Sequence, residues 1–191
     1  MTARDDPDAA RPDPREEFRG VAGQFASGVA VVIALTEAGP HATTASSFVA
    51  VSPEPPLVAV FFATAARMHD QMTRGGRFSV SILREADHGL ARRFARPDRP
   101  TGWPGLAGVE LSHRDPAPPV LAQAVAWLDC AVVQVVPMGD HGCFVGEVLA
   151  MARDPAARPL VYYRGRLHQL GPPAAPPAWS TLDRTDLAAD W

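Results

Sequence analysis

The chain is poor in the residues that most readily disclose a function. Only two of its 191 residues are cysteine, Cys130 and Cys143, set in separate apolar runs with no Cys-x-x-Cys pair. They read as reduced core thiols, which excludes a disulfide framework and a thiol redox motif. The six histidines have no paired metal-ligand spacing, so no metal site is expected. No apolar run reaches the ~18 residues that a membrane span needs. The acidic, polar stretch 1–14 lacks the apolar centre of a signal peptide, so a cytoplasmic protein is expected by default. Basic residues are scattered, carried by arginine and outnumbered by acids, 18 against 21, which argues against a nucleic-acid surface. Gly-x-Gly-x-x-Gly after a strand, a Walker sequence and a Gly-x-Ser-x-Gly elbow are all missing. A nicotinamide nucleotide would have to bind outside a Rossmann fold.

What is present suits one domain with tails. The hydrophobic fraction of 47% supports a sizeable core. Residues 1–13 read as a disordered segment, 14–171 as the folded domain and 172–191 as a Pro-rich linker and tail. A helix is expected from Pro14, with Asp13 as N-cap, Gly28 as its end and Phe18, Val21, Ala22 and Phe25 as its buried face. Strands are expected at 29–35, 42–51, 57–62, 78–82, about 122–136, 142–153, 160–163 and 166–170, and further helices at about 65–74 and 86–95. Phe78, Val80 and Ile82 alternate with Ser79 and Ser81, which predicts a half-buried strand. Residues 96–119 read as irregular. Helices this few, not alternating regularly with strands, exclude a doubly wound sheet. They predict a mainly β fold with peripheral helices, a closed or split β-barrel.

Four constellations could carry chemistry. In His41-Ala42-Thr43-Thr44-Ala45-Ser46-Ser47-Phe48 four hydroxyls fall in five residues. Small side chains would let a ligand approach the backbone there, with hydroxyls donating to a phosphate or a polar ring edge. A solvent-facing edge strand would look the same. Ala63-Thr64-Ala65-Ala66-Arg67 joins a strand to a helix N-terminus, where free amides and a guanidinium suit an anion. It equally fits an ordinary capped helix. Arg92, Arg93, Arg96 and Arg99 make a local positive patch, or a solvated helix end. Gly139-Asp140-His141 is a tight loop in which the histidine could border a site, or in which Gly and Asp only set the turn.

Taken in order, these segments resemble the short-chain flavin reductases, the small components of two-component flavin monooxygenases. The resemblance runs over about residues 18–170. It rests on Phe25 to Val32, on Thr44-Ala45-Ser46-Ser47-Phe48-Val49-Ala50-Val51-Ser52 with Pro55-Pro56-Leu57-Val58, and on Arg77 to Leu83. It continues through Leu90 to Ala95, Gly139-Asp140-His141 with Gly146-Glu147-Val148, and Pro159 to Gly165. It implies a flavin reductase-like split barrel that binds FMN, or FAD, and uses NADH or NADPH as co-substrate. By that resemblance Val29, Thr43, Thr44, Ala45, Ser46, Ser47, Ala50, Val51 and Ser52 would contact the flavin. Ala63, Thr64, Arg67, Phe94 and Arg96 would serve its phosphate end. His141, Tyr163 and Arg164 would border the nicotinamide. No catalytic side chain is expected to be essential, with His141 the one candidate. A homodimer and a partner flavin monooxygenase are implied as well. A non-catalytic flavin sensor or a split-barrel flavin oxidase acting on its own substrate would share the flavin motifs. The family often has serine where Ala65 and Ala66 stand, and Lys or Arg before Phe-Gly where Thr101-Gly102-Trp103-Pro104 stands.

Overall fold

The computed structural model describes residues 13–172, so the expected disordered N-terminus and nearly all of the C-terminal tail lie outside the described residues. The elements, in chain order, begin with helix α1 (Pro14–Ala22) and strands β1 (Ser27–Gly28), β2 (Ala30–Thr36), β3 (Gly39–Ala45), β4 (Val49–Pro53) and β5 (Pro56–Ala63). Next come α2 (Arg67–Gly75), β6 (Arg77–Ile82), α3 (His88–Ala95) and α4 (Gly102–Gly105). The chain ends with β7 (Leu111–Arg114), β8 (Ala117–Leu121), β9 (Ala126–Met138), β10 (His141–Arg153), β11 (Leu160–Tyr163) and β12 (Arg166–Gln169). Seven strands form an antiparallel sheet in the order β3-β2-β6-β9-β10-β5-β4, beside a β1-β11-β12 sheet and a β7-β8 hairpin. None of the described helices is long and apolar enough to cross a membrane.

One connection forces the sheet to curl. β3 and β4 are its two edges, yet only Ser46, Ser47 and Phe48 separate them. Four Cα steps reach at most about 15 Å, whereas six inter-strand gaps in a flat sheet would put the edges about 29 Å apart. The edges meet at one corner without pairing. The register is staggered to match: the row through Ala45 meets β9 at Ala126, and the row through Val49 meets it at Gln134. The result is the expected split barrel.

The continuous apolar run at 29–35 is explained by β2 being buried on both faces. Ala30, Val32 and Ala34 join Val60, Phe78, Val80 and Phe144 inside the barrel, capped by Met68 and Met72 of α2. Val31 and Ile33 face a second cluster with Leu83, Phe94, Leu121 and Leu160. Cys130 and Cys143 are both buried and free.

Several expectations need correction. β6 is not half-buried. Ser79 and Ser81 are fully buried, because the β7-β8 hairpin covers that face. Ser79 Oγ donates to Pro119 O (2.6 Å) and Ser81 Oγ accepts from Leu121 N (3.0 Å). Residues 96–119 are not irregular throughout, since they hold α4, β7 and part of β8. The strand expected at 42–51 is two strands, broken where the barrel turns its corner. Asp13 does cap α1, its carboxylate accepting from Arg15 N (3.0 Å). The helix stops at Ala22, however, with Gly23 as its C-cap. The expected apolar stripe covers nothing among the described residues: Phe18 and Val21 of the helix are 73% and 69% exposed, and Phe25 beyond it 83%.

Candidate functional site

A cleft of about 640 Å³ opens beside the corner where β3 leaves the sheet. Val29, Thr44 and Ser46 contribute from the β2-β3 side, and Ala91, Arg92 and Ala95 from α3. Tyr162, Gly165, Arg166 and Leu167 contribute from the β11-β12 hairpin. Its size and mixed lining suit a drug-sized or nucleotide-sized ligand. No carboxylate is among the residues that line it.

The hydroxyl-rich strand divides its duties. Thr44 Oγ1 donates to Ala91 O (2.7 Å) and Thr43 Oγ1 to Phe94 O (3.5 Å), so these two fasten α3 across the edge strand. Thr44 therefore offers a ligand lone pairs, its proton being committed. Ser46 is exposed, lines the cleft and has no hydrogen-bond partner among the described residues. It remains free to donate or accept. Ser47 Oγ is held between the amide and the carbonyl of Phe61. Ala45 is buried in the barrel core.

The other expected residues fall in three places. Ala63, Thr64 and His141 meet at the top of β5 and β10, where His141 pairs with Ala63. There Thr64 N and Oγ1 both donate to Asp140 O (2.9 and 3.2 Å). His141 Nδ1 lies 2.7 Å from Asp140 Oδ1. That hydrogen bond, and then the charge of the imidazole, hold the Asp140 carboxyl below the usual carboxylate range. Ala50, Val51 and Ser52 lie on exposed edge strand β4 and do not line the cleft. Ser52 Oγ accepts from Glu54 N (3.2 Å). Arg67 opens α2 and borders a smaller pocket of about 170 Å³ with His41, Gln71 and Thr101.

Four expected contacts are turned elsewhere. Phe94 is 2% exposed and belongs to the core, because its face of α3 packs on β2. Arg96 is exposed and paired twice to Asp98 (2.9 and 2.6 Å). Tyr162 lines the cleft; Tyr163, on the other face of β11, packs against His168 instead, and Arg164 lies in the turn and does not line the cleft. Arg164, at φ 49°, gives both Nε and Nη2 to Gln24 Oε1 and stacks on Tyr163 at 5.2 Å. The sequence reading missed Tyr162 and Arg166, and it named Arg92 only as one of a patch. Arg92 sat in plain view in the arginine patch, but nothing in spacing separates it from Arg93.

His41 is a buried polar group of its own kind. It is 3% exposed, and its Nε2 faces Arg99 Nη2 at 3.1 Å. Arginine can only donate, so Nε2 accepts and Nδ1 carries the hydrogen. Burial, then the charges of Arg99 and Arg67, press its pKa down to about 4.

Fold and cleft together define a small split barrel with a ligand-sized cleft and no Rossmann motif. The flavin reductase-like domain family matches residues 22–171, and the chain belongs to that family. It is 36% identical to the NADH-dependent FAD reductase of Streptomyces globisporus over 164 residues, 85% of this chain and 90% of that protein. It is also 36% identical to the reductase component of the Rhodococcus opacus 4-nitrophenol 4-monooxygenase/4-nitrocatechol 2-monooxygenase, covering 85% of this chain and 84% of that one. The solved Streptomyces globisporus NADH:FAD oxidoreductase in complex with NAD and FAD fragments superposes with a TM-score of 0.79 at 34% identity, over 86% of this chain and 98% of that chain. The flavin reductase component of a bacterial two-component tryptophan halogenase gives a TM-score of 0.77 at 33% identity, over 82% and 98%.

Proposed function

We propose that this protein is an NADH-dependent flavin reductase that supplies reduced flavin, FAD or FMN, to a partner monooxygenase. The observation that carries the reading is the acid-free cleft of about 640 Å³, walled by Thr44, Ser46, Tyr162 and two arginines, on a chain of this family. A bound flavin would supply the two-electron acceptor chemistry. The chain itself supplies position and exclusion of water. Ser46, exposed and without a hydrogen-bond partner among the described residues, offers hydrogen bonds to a polar ring. Tyr162, Ala91, Ala95 and Leu167 give flat and small apolar contact. His141, fixed by Asp140 beside Ala63 and Thr64, would stand at the nicotinamide side.

The same reading extends to assembly. The outer face of the sheet is apolar along Val49-Ala59-Val145 and along Phe61-Cys143-Val136, and none of the described helices packs on it. A second copy covering that face would make the homodimer the family resemblance implies.

The test is loss of the reduced-nicotinamide absorbance with purified protein and added FAD or FMN. Turnover that depends on free flavin is the expected result. Tight flavin binding without NADH oxidation would overturn it in favour of a sensor.

A further inference from the structure

A seam of hydrogen bonds joins β3 to the α3 segment, and it runs residue by residue down the strand. Thr44 Oγ1 donates to Ala91 O (2.7 Å) and Thr43 Oγ1 to Phe94 O (3.5 Å). At Ala42 the seam is closed by Arg99. Its Nε donates to Ala42 O (2.7 Å), its Nη1 to Arg96 O (2.7 Å) and its Nη2 to His41 Nε2 (3.1 Å). All three guanidinium nitrogens are engaged, and every one of these acceptors is uncharged. The neighbouring carboxylate, Asp98, is taken by Arg96. Burial, then the charge of Arg67, hold the Arg99 pKa below the ordinary arginine value. A half-buried cation among neutral acceptors, and near a second cation, is a poor source of stability. What a guanidinium does supply is a planar fork that fixes the directions of several acceptors at once.

The acceptors belong to the two walls of the cleft. Ala42 lies two residues before Thr44 on β3, and Arg96 directly follows Ala95, the last residue of α3. Thr44 and Ala95 line the cleft, whereas Arg99 does not. We propose that Arg99 is a positioning residue for flavin binding. It sets the spacing between the strand wall, with Thr44 and Ser46, and the helix wall, with Ala91 and Ala95. One rigid group bonded to both walls keeps them from parting, and a ligand that touches both needs that spacing held. The assignment rests on the flavin reductase reading, which makes a flavin the ligand of the cleft.

Calorimetric titration with FAD is the direct test. Arg99→Lys keeps the charge, but one ammonium cannot reach three acceptors in the fork's geometry. Arg99→Lys and Arg99→Gln should therefore both weaken FAD binding by roughly tenfold, with circular dichroism like the wild type's. The KM for FAD should rise with it while turnover at saturating FAD stays within about threefold. Because Arg99 acts through the strand wall, its effect should be coupled to that of Ser46. Ser46→Ala should weaken binding severalfold in the wild type and much less in the Arg99→Lys background. Equal effects of Ser46→Ala in both backgrounds would overturn the positioning role. So would an Arg99→Lys variant that binds FAD as the wild type does, since charge rather than geometry would then be at work. A wild type that binds no FAD, or Arg99 variants that do not fold at all, would overturn it too. FAD binding without NADH oxidation would sink the flavin reductase reading and leave the Arg99 result standing.

Discussion

Ser47 Oγ donates to the carbonyl of Phe61 (3.0 Å) and accepts from the amide of the same residue (3.2 Å). β4 pairs with β5 from Val49, opposite Ala59, onward, so Ser47 sits where the next ladder position, opposite Phe61, would fall. One hydroxyl thus closes the sheet edge where the chain crosses the split in the barrel. Removing it strands a half-buried amide and carbonyl, a loss of about 1–3 kcal/mol. Ser47→Ala should therefore lower the denaturant midpoint and leave the KM for flavin near the wild-type value. Unchanged stability with a large rise in flavin KM would reverse the assignment, making Ser47 a ligand contact.

His41 makes stability depend on pH. Its folded pKa of about 4 lies below the ordinary value of 6.5, so between those values the unfolded chain binds a proton that the folded chain does not. Stability must then rise with pH across that window and fall as pH drops from 6.5 towards 4. The full shift is reduced by solvent reaching the neighbouring pocket, leaving on the order of 2 kcal/mol. His41→Gln keeps an acceptor for Arg99 and removes the titration. Urea unfolding of this variant should show a shallower slope from pH 4 to 6.5. A slope equal to the wild type's would mean that another group carries the dependence.

The period of the apolar residues made β2, β5, the β9-β10 hairpin and the β11-β12 hairpin legible, and the capping residues did the same for α1 and α2. Where the reading failed, the cause lay in contacts distant along the chain. Ser79 and Ser81 alternate as a solvent-facing row would, and only the β7-β8 hairpin 40 residues later buries them. Pro116, Pro118 and Pro119 hid that hairpin, yet β8 runs through two of them because it pairs on one side only, with β7. Phe18, Val21 and Phe25 have a core stripe's spacing but nothing in the described chain to pack on. At the site, the hydroxyl strand borders the cleft through Thr44 and Ser46. Which hydroxyls hold the fold (Thr43, Thr44, Ser47) and which is left open (Ser46) depends on where α3 and β5 lie. The arginines pose the same problem, since Arg92 and Arg93 differ only in the direction a helix turn points them.

His141 is held by Asp140 at 2.7 Å and half-exposed at the top of the β9-β10 hairpin. Hydride transfer between two cofactors needs position more than a proton donor. His141→Ala should accordingly raise the KM for NADH severalfold while turnover at saturation stays within about threefold of wild type. Asp140→Asn should show a smaller effect in the same direction. Complete loss of turnover with unchanged NADH affinity would instead make the imidazole a participant in the chemistry.

The outer face of β4-β5-β10 supplies the last prediction. Val49 is 48% exposed there, in line with Ala59 and Val145 across the sheet. An aspartate at position 49 costs the isolated barrel little, because the side chain is already half in water. Buried against a second copy the same carboxylate would be desolvated without a partner, and by symmetry each twofold interface would carry two of them. Val49→Asp should therefore sediment as a monomer where the wild type sediments as a dimer, with near-wild-type circular dichroism. A wild type that is monomeric at micromolar concentration would remove the proposed interface. A variant that remains dimeric would place the interface on another surface, and the uncovered Phe18 and Val21 of α1, with Phe25 just beyond it, would be the next to mutate.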